Sequence, residues 1–208
     1  RIKELDDFRK QGGKVVGTFC LYVPEEIVRA AGAWCVGLCA GAEFAYDQVE
    51  QIMPRNTCAL IKSFMGFKLA KVCPYIESSD LVIGETTCDA KKKAWDLLGF
   101  PSLEVPQKKT DMDRELWRSE VRRFAREMEK LSGRPIEKEA LARSVRKVND
   151  RRRVLQRING YRMLAEPPIS GLDALLVSQT ALSMDIDAFL GAAGRLEKEL
   201  ESRAAKGV

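Results

Sequence analysis

Six cysteines are the side chains of this 208-residue sequence with the clearest capacity for chemistry, and the sequence contains no histidine. All six lie in the first 88 residues, at Cys20, Cys35, Cys39, Cys58, Cys73 and Cys88. The absence of histidine excludes a serine or cysteine catalytic triad of the usual kind and a histidine-ligated zinc ion. Disulfides are rare in the cytosol, whereas thiolates ligate metals and iron–sulfur clusters. The clustered cysteines therefore favour a metal or cluster site.

The segment around Cys88 combines a thiol with positive charge. In "VIGETTCDAKKKAWDLLG", residues 82–99, an apolar run typical of a buried strand leads to Cys88 and then to a helix that begins with Lys91, Lys92 and Lys93. Lysines are unfavourable in a first helical turn, because the helix dipole is positive there. A cluster held by thiolates carries negative charge, which these lysines would neutralise. We predict this role for them, although three adjacent lysines also fit a solvated helix face.

The hydrophobic pattern of the first half predicts the elements that position the cysteines. Four short apolar segments indicate strands, at residues 14–19, 33–39, 80–84 and 102–105. Helical segments alternate with them, at residues 22–32, 43–52, 55–70 and 89–99. Strands that are apolar throughout and alternate with helices indicate a parallel sheet covered on both faces. We therefore predict an α/β class, with a Rossmann-like parallel sheet of about four strands flanked by helices.

The second half of the sequence is predicted to be helical. Apolar residues at helical spacing share one face of a helix that starts near Asp111, at Leu116, Val121, Phe124, Met128 and Leu131. The triplet 133–135, Gly-Arg-Pro, ends that helix, and further helices are predicted at 137–164 and 171–206, with an interruption near Ser183. The basic run 146–157 is interpreted as a solvated helix face. The predicted division is an α/β domain at 1–110 and a helical segment at 111–208.

Several cysteines follow predicted strands directly. Cys20, Cys39 and Cys88 come after the first, second and third strands. The carboxyl ends of parallel strands form the crevice in which open α/β sheets bind ligands. We therefore expect Cys20, Cys58 and Cys88 to lie on that side of the molecule. The sulfur atoms of Cys58 and Cys88 are expected within roughly 15 Å of each other, the most that one cubane cluster could join.

The other cysteines have different predicted surroundings. Cys58 opens a helix for which Asn56 or Thr57 is the predicted cap. Cys73 lies in a predicted connecting loop. Cys35 lies inside a strand, and we predict that it packs in the core, as most free cysteines do.

Composition and charge narrow the classes of protein. The net charge of +5 is modest and its two signs are interspersed, which argues against a nucleic-acid partner. A net charge of this size is compatible with small anionic ligands. No apolar run approaches the roughly 18 residues of a membrane helix, and no signal-peptide pattern is present. The sequence therefore predicts a globular cytoplasmic protein that binds neither nucleic acid nor membrane.

Four long phrases resemble one known protein family. They are "GTFCLYVPEEIVRAAGAWCVGLCAG", "MPRNTCALIKSFMGF", "CPYIESSDLVIGETTCDAKKKAWDLLG" and "LEVPQ". They resemble the 2-hydroxyacyl-CoA dehydratase family, also called the benzoyl-CoA reductase and dehydratase D-component family, and are most similar to its double-cubane cluster proteins. The resemblance covers residues 14–107, with a looser helical match to about residue 165. It implies members roughly twice this length with two Rossmann-like domains, so the chain is similar to the first half and the second cluster-binding domain is expected to be absent.

The resemblance also implies roles for individual cysteines. Cys58 in "RNTC" and Cys88 in "TTCD" match the two cysteines with which the first domain of dehydratase subunits holds a [4Fe–4S] cluster, the third ligand coming from the second domain. The double-cubane branch, whose cluster joins two cubanes through a sulfide, has additional cysteines that correspond to Cys20, Cys39 and Cys73. Cys35 has no counterpart. "CALIKS" and "CDAKKK" depart from the usual "CPLIKS" and "CDGKKK" without moving a thiol.

The function that the resemblance implies is low-potential electron transfer. A separate ATP-hydrolysing iron–sulfur activator supplies the electron, which dehydratases pass to a 2-hydroxyacyl-CoA substrate and which double-cubane proteins use to reduce small molecules. Expected partners are this activator, a like subunit in a homo- or heterodimer, and an acyl-CoA substrate. We expect the chain by itself to hold its cluster poorly or not at all. Two other interpretations stay open, a cysteine-bound zinc module and a metal-free scaffold or interaction fragment.

Overall fold

A parallel sheet of four strands forms the centre of the first half of the chain. The structure, a computed structural model, describes residues 2–19, 21–38, 42 and 44–206. The strands are β1 Val15–Thr18, β2 Trp34–Gly37, β3 Leu81–Glu85 and β4 Ser102–Leu103. They lie in the order β2-β1-β3-β4, and each neighbouring pair is parallel. The predicted α/β class and four-stranded parallel sheet are confirmed.

Helices surround the sheet and make up the second half. They are α1 Ile2–Lys10, α2 Glu25–Ala30, α3 Tyr46–Val49, α4 Ala59–Leu69, α5 Pro74–Glu77, α6 Asp89–Leu98, α7 Asp111–Ser132, α8 Lys138–Tyr161, α9 Gly171–Ser183 and α10 Ile186–Lys206. Helices α1 and α5 were not predicted from the sequence. Helix α5 has only 4 residues, whereas α1 carries Ile2, Leu5 and Phe8 at helical spacing, a signal that could have found it. Helix α1 buries Leu5 and packs Phe8 on Trp34 at a ring-centroid distance of 5.5 Å. None of the helices described is long and apolar enough to cross a membrane.

Local signals in the sequence set several helix ends. Gly99 and Gly133 follow α6 and α7 with φ of 66° and 70°, a left-handed conformation that glycine adopts without a steric penalty. Thr110 and Asp113 form a capping box at the start of α7, in which each side chain accepts from the other residue's backbone N–H. The predicted interruption near Ser183 is confirmed by the break between α9 and α10.

The start of α4 differs from the prediction. The predicted cap, Asn56 or Thr57, is wrong, because the N-cap residue is Cys58 and its side chain makes no capping hydrogen bond. Thr57 donates its backbone N–H to the carbonyl of Pro54 at 2.9 Å, so it closes a turn that precedes the helix. The Cys58 carbonyl accepts from the amide of Lys62 at 3.0 Å. A thiol therefore stands at the helix start, where the sequence suggested a hydroxyl or an amide.

An aromatic group organises the core beside the sheet. Trp95 of α6 is buried against Gly84 of β3, where an added Cβ would lie only 2.5 Å from the indole ring. The indole N–H donates to the carbonyl of Glu85 at 2.9 Å. Because Gly84 has no side chain, Trp95 and therefore α6 pack closely against β3.

The chain divides into two compact units, Arg1–Ile136 and Glu137–Val208. In the second unit, α8, α9 and α10 enclose an apolar core that includes Ile158, Phe189 and Leu200. The basic run 146–157 belongs to α8, and the prediction of a solvated face fails at Arg151, which is 8% exposed and donates to the carbonyl of Ala181 at 2.9 Å. The predicted domain boundary, between residues 110 and 111, stays a prediction.

Candidate functional site

Cys58 and Cys88 occupy equivalent positions at the starts of two helices. Cys58 is the N-cap residue of α4 and Cys88 is the N-cap residue of α6. Both residues are exposed, both are free thiols, and neither side chain makes a capping hydrogen bond. The amide groups of a first helical turn point toward the cap, where they favour negative charge. Both thiols therefore face solvent at positions that suit a thiolate ligand.

The helices α4 and α6 pack against each other. Near the middle of both, the rings of Phe64 in α4 and Trp95 in α6 pack with centroids 5.5 Å apart. One turn further along α4, Lys68 places Nζ 5.9 Å from the ring centroid of Phe100, which follows the end of α6. The ring of Phe64 also lies 6.2 Å from that of Phe100, so these contacts show that the two helices pack together. Because connections between parallel strands return from the carboxyl edge of the sheet to its amino edge, we expect α4 and α6 to begin on the same side. At a rise of about 1.5 Å per residue, each N-cap lies about 10 Å before the central contact.

We expect that side to be the carboxyl edge of the sheet. Two threonines separate the end of β3 from Cys88. Phe19, the first residue after β1, packs against the same two aromatic rings at centroid distances of 4.2 and 4.7 Å. The carboxyl ends of β1 and β3 therefore lie close to α4 and α6, and the expected position of Cys58 and Cys88 on one side of the molecule stays a prediction. The expected distance between their sulfur atoms stays a prediction, and Cys20 and Cys39 lie outside the described residues.

Cys73 lies at the other end of α4. It directly precedes α5, and the loop that leads to it stays close to the last turn of α4, where the amide of Val72 donates to the carbonyl of Phe67 at 3.2 Å. Lys68 also forms an ion pair with Glu77 of α5 at 2.9 Å. Helix α4 has 11 residues and therefore spans roughly 16 Å. Cys73 and Cys58 therefore lie at opposite ends of α4, and the predicted role of Cys73 as a ligand stays a prediction.

Cys35 has the surroundings predicted for it. It is 6% exposed in β2 and lies 3.7 Å from the hydroxyl oxygen of Thr18 in β1. It packs in the core between neighbouring strands, away from the solvent-exposed helix starts. The prediction of core packing is confirmed.

The three lysines that follow Cys88 differ in their exposure. Lys91 is 8% exposed, Lys92 is half-buried and Lys93 is exposed. The charge of Lys91 acts on the buried carboxylate of Glu85. The predicted compensation of a cluster's charge stays a prediction for all three, and Lys91 has an internal acidic neighbour as well.

Glu85 is a residue of the carboxyl edge that the sequence did not single out. It ends β3 and is fully buried, and its Oε1 accepts from the backbone N–H of Tyr22 at 3.2 Å. Its Oε2 has no hydrogen-bond partner among the described residues. Burial raises the pKa of Glu85, and the Tyr22 amide, Lys91 and the Val23 amide oppose that rise without cancelling it. The signal in the sequence was an acidic residue that ends an otherwise apolar strand.

The described residues supply only part of a cluster site. Within the ranges that the structure describes, no group of three or more His, Cys, Asp or Glu side chains is arranged to hold a metal ion. Two exposed cysteine thiols nevertheless match the donors that iron–sulfur clusters use. The residues present therefore fit such a cluster in donor type, with further ligands required from elsewhere.

Comparison with known proteins identifies the family. A family model described as 2-hydroxyglutaryl-CoA dehydratase, D-component, matches residues 20–208. The chain belongs to this family. This membership confirms the resemblance found in the sequence.

Several curated proteins are similar to this D-component family chain. A protein of Escherichia coli (strain K12) named as dehydratase subunit YjiM is 39% identical over 82% of the chain and 46% of its own length. One of the subunits of benzoyl-CoA reductase from Thauera aromatica is 25% identical over 89% of the chain and 48% of its own length. The (R)-phenyllactyl-CoA dehydratase beta subunit of Clostridium sporogenes is 27% identical, over 74% and 41% respectively. The chain spans about half the length of the curated relatives it matches, and it is similar to components of dehydratases and reductases.

Proposed function

We propose that this chain is the cysteine-bearing part of a cytoplasmic iron–sulfur enzyme, a 2-hydroxyacyl-CoA dehydratase or a double-cubane reductase. Its relatives are named as dehydratase or reductase subunits, which supports the enzyme class. Cys58 and Cys88 would hold a [4Fe–4S] or double-cubane cluster, with Cys20 and Cys39 as further ligands. Cys73 is left out of this proposal, because it follows the end of α4 opposite to Cys58.

One observation carries this proposal. Two exposed, free thiols, Cys58 and Cys88, are the N-cap residues of two helices that pack against each other, and Cys88 follows the carboxyl end of a strand of the parallel sheet. Structural cysteines are usually buried, as Cys35 is, so two solvent-facing thiols in equivalent positions need another explanation. Ligation of a soft metal or an iron–sulfur cluster is that explanation.

The residues of the site would hold the cluster and balance its charge. When bound, the cluster supplies single-electron transfer at low potential. The first-turn amides of α4 and α6 and the ammonium groups of Lys91, Lys92 and Lys93 would stabilise the negative charge of the thiolates. Glu85, with its raised pKa, is able to hold a proton at a buried position three residues before Cys88.

The proposed partners follow from the family. An ATP-dependent iron–sulfur activator protein would supply the electrons, and a like subunit would form the other half of a homo- or heterodimer. Two relatives carry coenzyme A esters in their names, benzoyl-CoA and (R)-phenyllactyl-CoA, which supports an acyl-CoA substrate here. The particular acyl group is not part of the proposal.

Metal analysis of anaerobically purified protein tests the proposal. The sample is the longest polypeptide that contains this chain, and the measurements are iron, sulfide and zinc content together with the absorption spectrum. We expect iron with sulfide and a broad band near about 400 nm, which is typical of thiolate-bound iron–sulfur clusters. Cys58→Ala and Cys88→Ala should each remove most of the iron. Cys35→Ala is the matched control and should retain it, because that thiol is buried in the strand layer.

Two outcomes would contradict the proposal. Zinc in place of iron would assign the thiols to a structural zinc module, and a metal-free protein after anaerobic reconstitution would leave a scaffold or interaction fragment. Iron that survives both the Cys58→Ala and Cys88→Ala substitutions would show that the ligands lie elsewhere.

A further inference from the structure

A wide groove lies beside the carboxyl edge of the sheet, within the first compact unit. It has a volume of about 980 Å³ and is bounded by α7 on one side and by the segment after β4 on the other. Its apolar floor contains Trp117 and Val121 of α7 together with Val105 and Pro106. These four residues are half-buried, so an open apolar and aromatic surface stays accessible to a ligand.

The rim of the groove is strongly basic. Five cationic side chains line it, namely Lys108, Lys109, Arg114, Arg118 and Arg122, against a single acidic one, Asp113. Asp113 is engaged in the capping box, where its Oδ2 accepts from the backbone N–H of Thr110 at 2.9 Å. Lys109 and Arg122 form no ion pair with any residue that the structure describes. Arg114 pairs with Asp111 at 2.9 Å and Arg118 pairs with Glu115 on the same helix. Among the residues that the structure describes, the uncompensated positive charge of the rim therefore lies at Lys109 and Arg122.

The groove is connected to the carboxyl edge through one residue. Tyr22, which is 55% exposed, lines the groove and donates its backbone N–H to Oε1 of Glu85. Glu85 ends β3, shortly before Cys88. A ligand that lies in the groove and extends past Tyr22 would reach the side of the sheet on which α6 begins.

The combination of an aromatic floor and a cationic rim selects a particular ligand chemistry. Arginine side chains bind phosphate oxygens through their planar forks, and lysines bind them as point charges. An indole ring stacks on the flat face of a nucleobase. A simple anion would make no use of Trp117, and an uncharged apolar ligand would make no use of Lys109 or Arg122. A volume of about 980 Å³ is large enough for a nucleotide.

We propose that this groove binds an adenosine-diphosphate group, with the base against Trp117 and the phosphates among the lysines and arginines of the rim. Two sources carry this group, coenzyme A thioesters and free adenine nucleotides. The coenzyme A source rests on the proposed acyl-CoA function, in which the nucleotide end would anchor the substrate while the acyl end extends past Tyr22. The nucleotide site itself depends only on the groove.

Calorimetric titration of the purified chain tests the proposal with three probes: coenzyme A, ADP and inorganic pyrophosphate. Coenzyme A and ADP should bind, and pyrophosphate should bind more weakly, because it lacks a base. Trp117→Ala should weaken coenzyme A and ADP by about 5- to 150-fold, the range expected for one stacking contact, and leave pyrophosphate almost unchanged. Tighter binding of coenzyme A would identify the thioester as the source, and equal binding would identify the free nucleotide.

A charge variant keeps the proposal testable if Trp117→Ala disturbs folding. Arg122→Glu, on the exposed rim, should weaken all three probes. Arg126→Glu is the matched control, because Arg126 is exposed on the same helix and does not line the groove. Circular dichroism of each variant should match that of the unsubstituted chain.

Three results would overturn the proposal. These are no binding of either nucleotide probe, equal affinity for ADP and pyrophosphate, and affinities that ignore both Trp117→Ala and Arg122→Glu. Iron content measured in the same samples separates this proposal from the proposed function, because the groove variants change nucleotide affinity while Cys88→Ala changes iron.

Discussion

Glu85 shows how a single buried carboxyl group makes stability depend on pH. Burial raises its pKa above the ordinary value for glutamic acid. Between the ordinary and the raised value, the native chain holds a proton that the unfolded chain has released. The contribution of this group to the free energy of unfolding is therefore fully present below that interval and is lost as the pH rises through it.

The substitution Glu85→Gln should remove this dependence, because an amide does not ionise. We expect the stability of the variant, measured relative to the unsubstituted chain, to become more favourable as the pH rises from about 4 to about 8. Urea unfolding at several pH values measures the difference. A difference that stays constant over this range would show that Glu85 does not titrate with a raised pKa.

Cys73 gives a second prediction for a single residue. Since it follows the end of α4 opposite to Cys58, we expect Cys73→Ala to leave the iron content of anaerobically prepared protein unchanged. Cys88→Ala, measured alongside it, should lower the iron content strongly. Loss of iron from the Cys73→Ala protein would instead support the role that the family resemblance implied for this thiol.

At the scale of single elements, the helices differ in whether a side chain caps their first turn. Helix α7 begins with a complete capping box, whereas α4 begins at a cysteine with no capping hydrogen bond. An N-cap hydroxyl satisfies backbone N–H groups that otherwise lack a partner in the first turn. The two helices therefore allow a matched comparison of two threonines. Thr110 is the N-cap residue of α7, whereas Thr57 only precedes the N-cap residue of α4.

We expect Thr110→Ala to lower the free energy of unfolding by about 1 kcal/mol, the usual value of a side-chain cap. Thr57→Ala, the control, should change it by less than about 0.5 kcal/mol, because Thr57 lies in the turn before α4. Urea denaturation of both variants checks the comparison. Equal losses for the two variants would mean that Thr57 does contribute to the start of α4.

At the scale of the whole molecule, the chain should fold without its cluster. The first unit has its own apolar core around Val15, Val36, Phe64 and Trp95, and the second has a separate core of helices. Neither core depends on the exposed thiols Cys58 and Cys88. Folding and cluster ligation are therefore expected to be separable in this chain.

We accordingly expect the 208-residue chain alone to bind iron poorly and to lose what it binds in air. The described residues supply no group of three metal ligands, and a site that lacks ligands from a second domain is open to water and oxygen. Iron analysis and circular dichroism, each before and after exposure to air, measure the two properties. A full and oxygen-stable iron complement in this chain would contradict a cluster shared between domains.

The sequence alone determined the fold class, the order of the strands along the chain and the family. Strand positions and helix ends depend on local signals, such as apolar runs between helices and glycines with positive φ at Gly99 and Gly133. Those signals act over a few residues, so they survive without knowledge of the tertiary fold. The same reasoning placed Cys88 shortly after a strand and Cys35 inside one. It failed at the start of α4, where a turn that ends at Thr57 displaced the cap to Cys58.

Only the tertiary structure decided which chemical groups share one side of the sheet. The packing of Phe19, Phe64 and Trp95 joins α4 and α6 to the segment that follows β1, and no local pattern encodes that contact between distant segments. Cys73 follows the end of α4 opposite to Cys58. The burial of Glu85 and the basic groove beside α7 likewise arise from segments far apart in the chain, because burial and charge density depend on what packs around a residue rather than on its sequence neighbours.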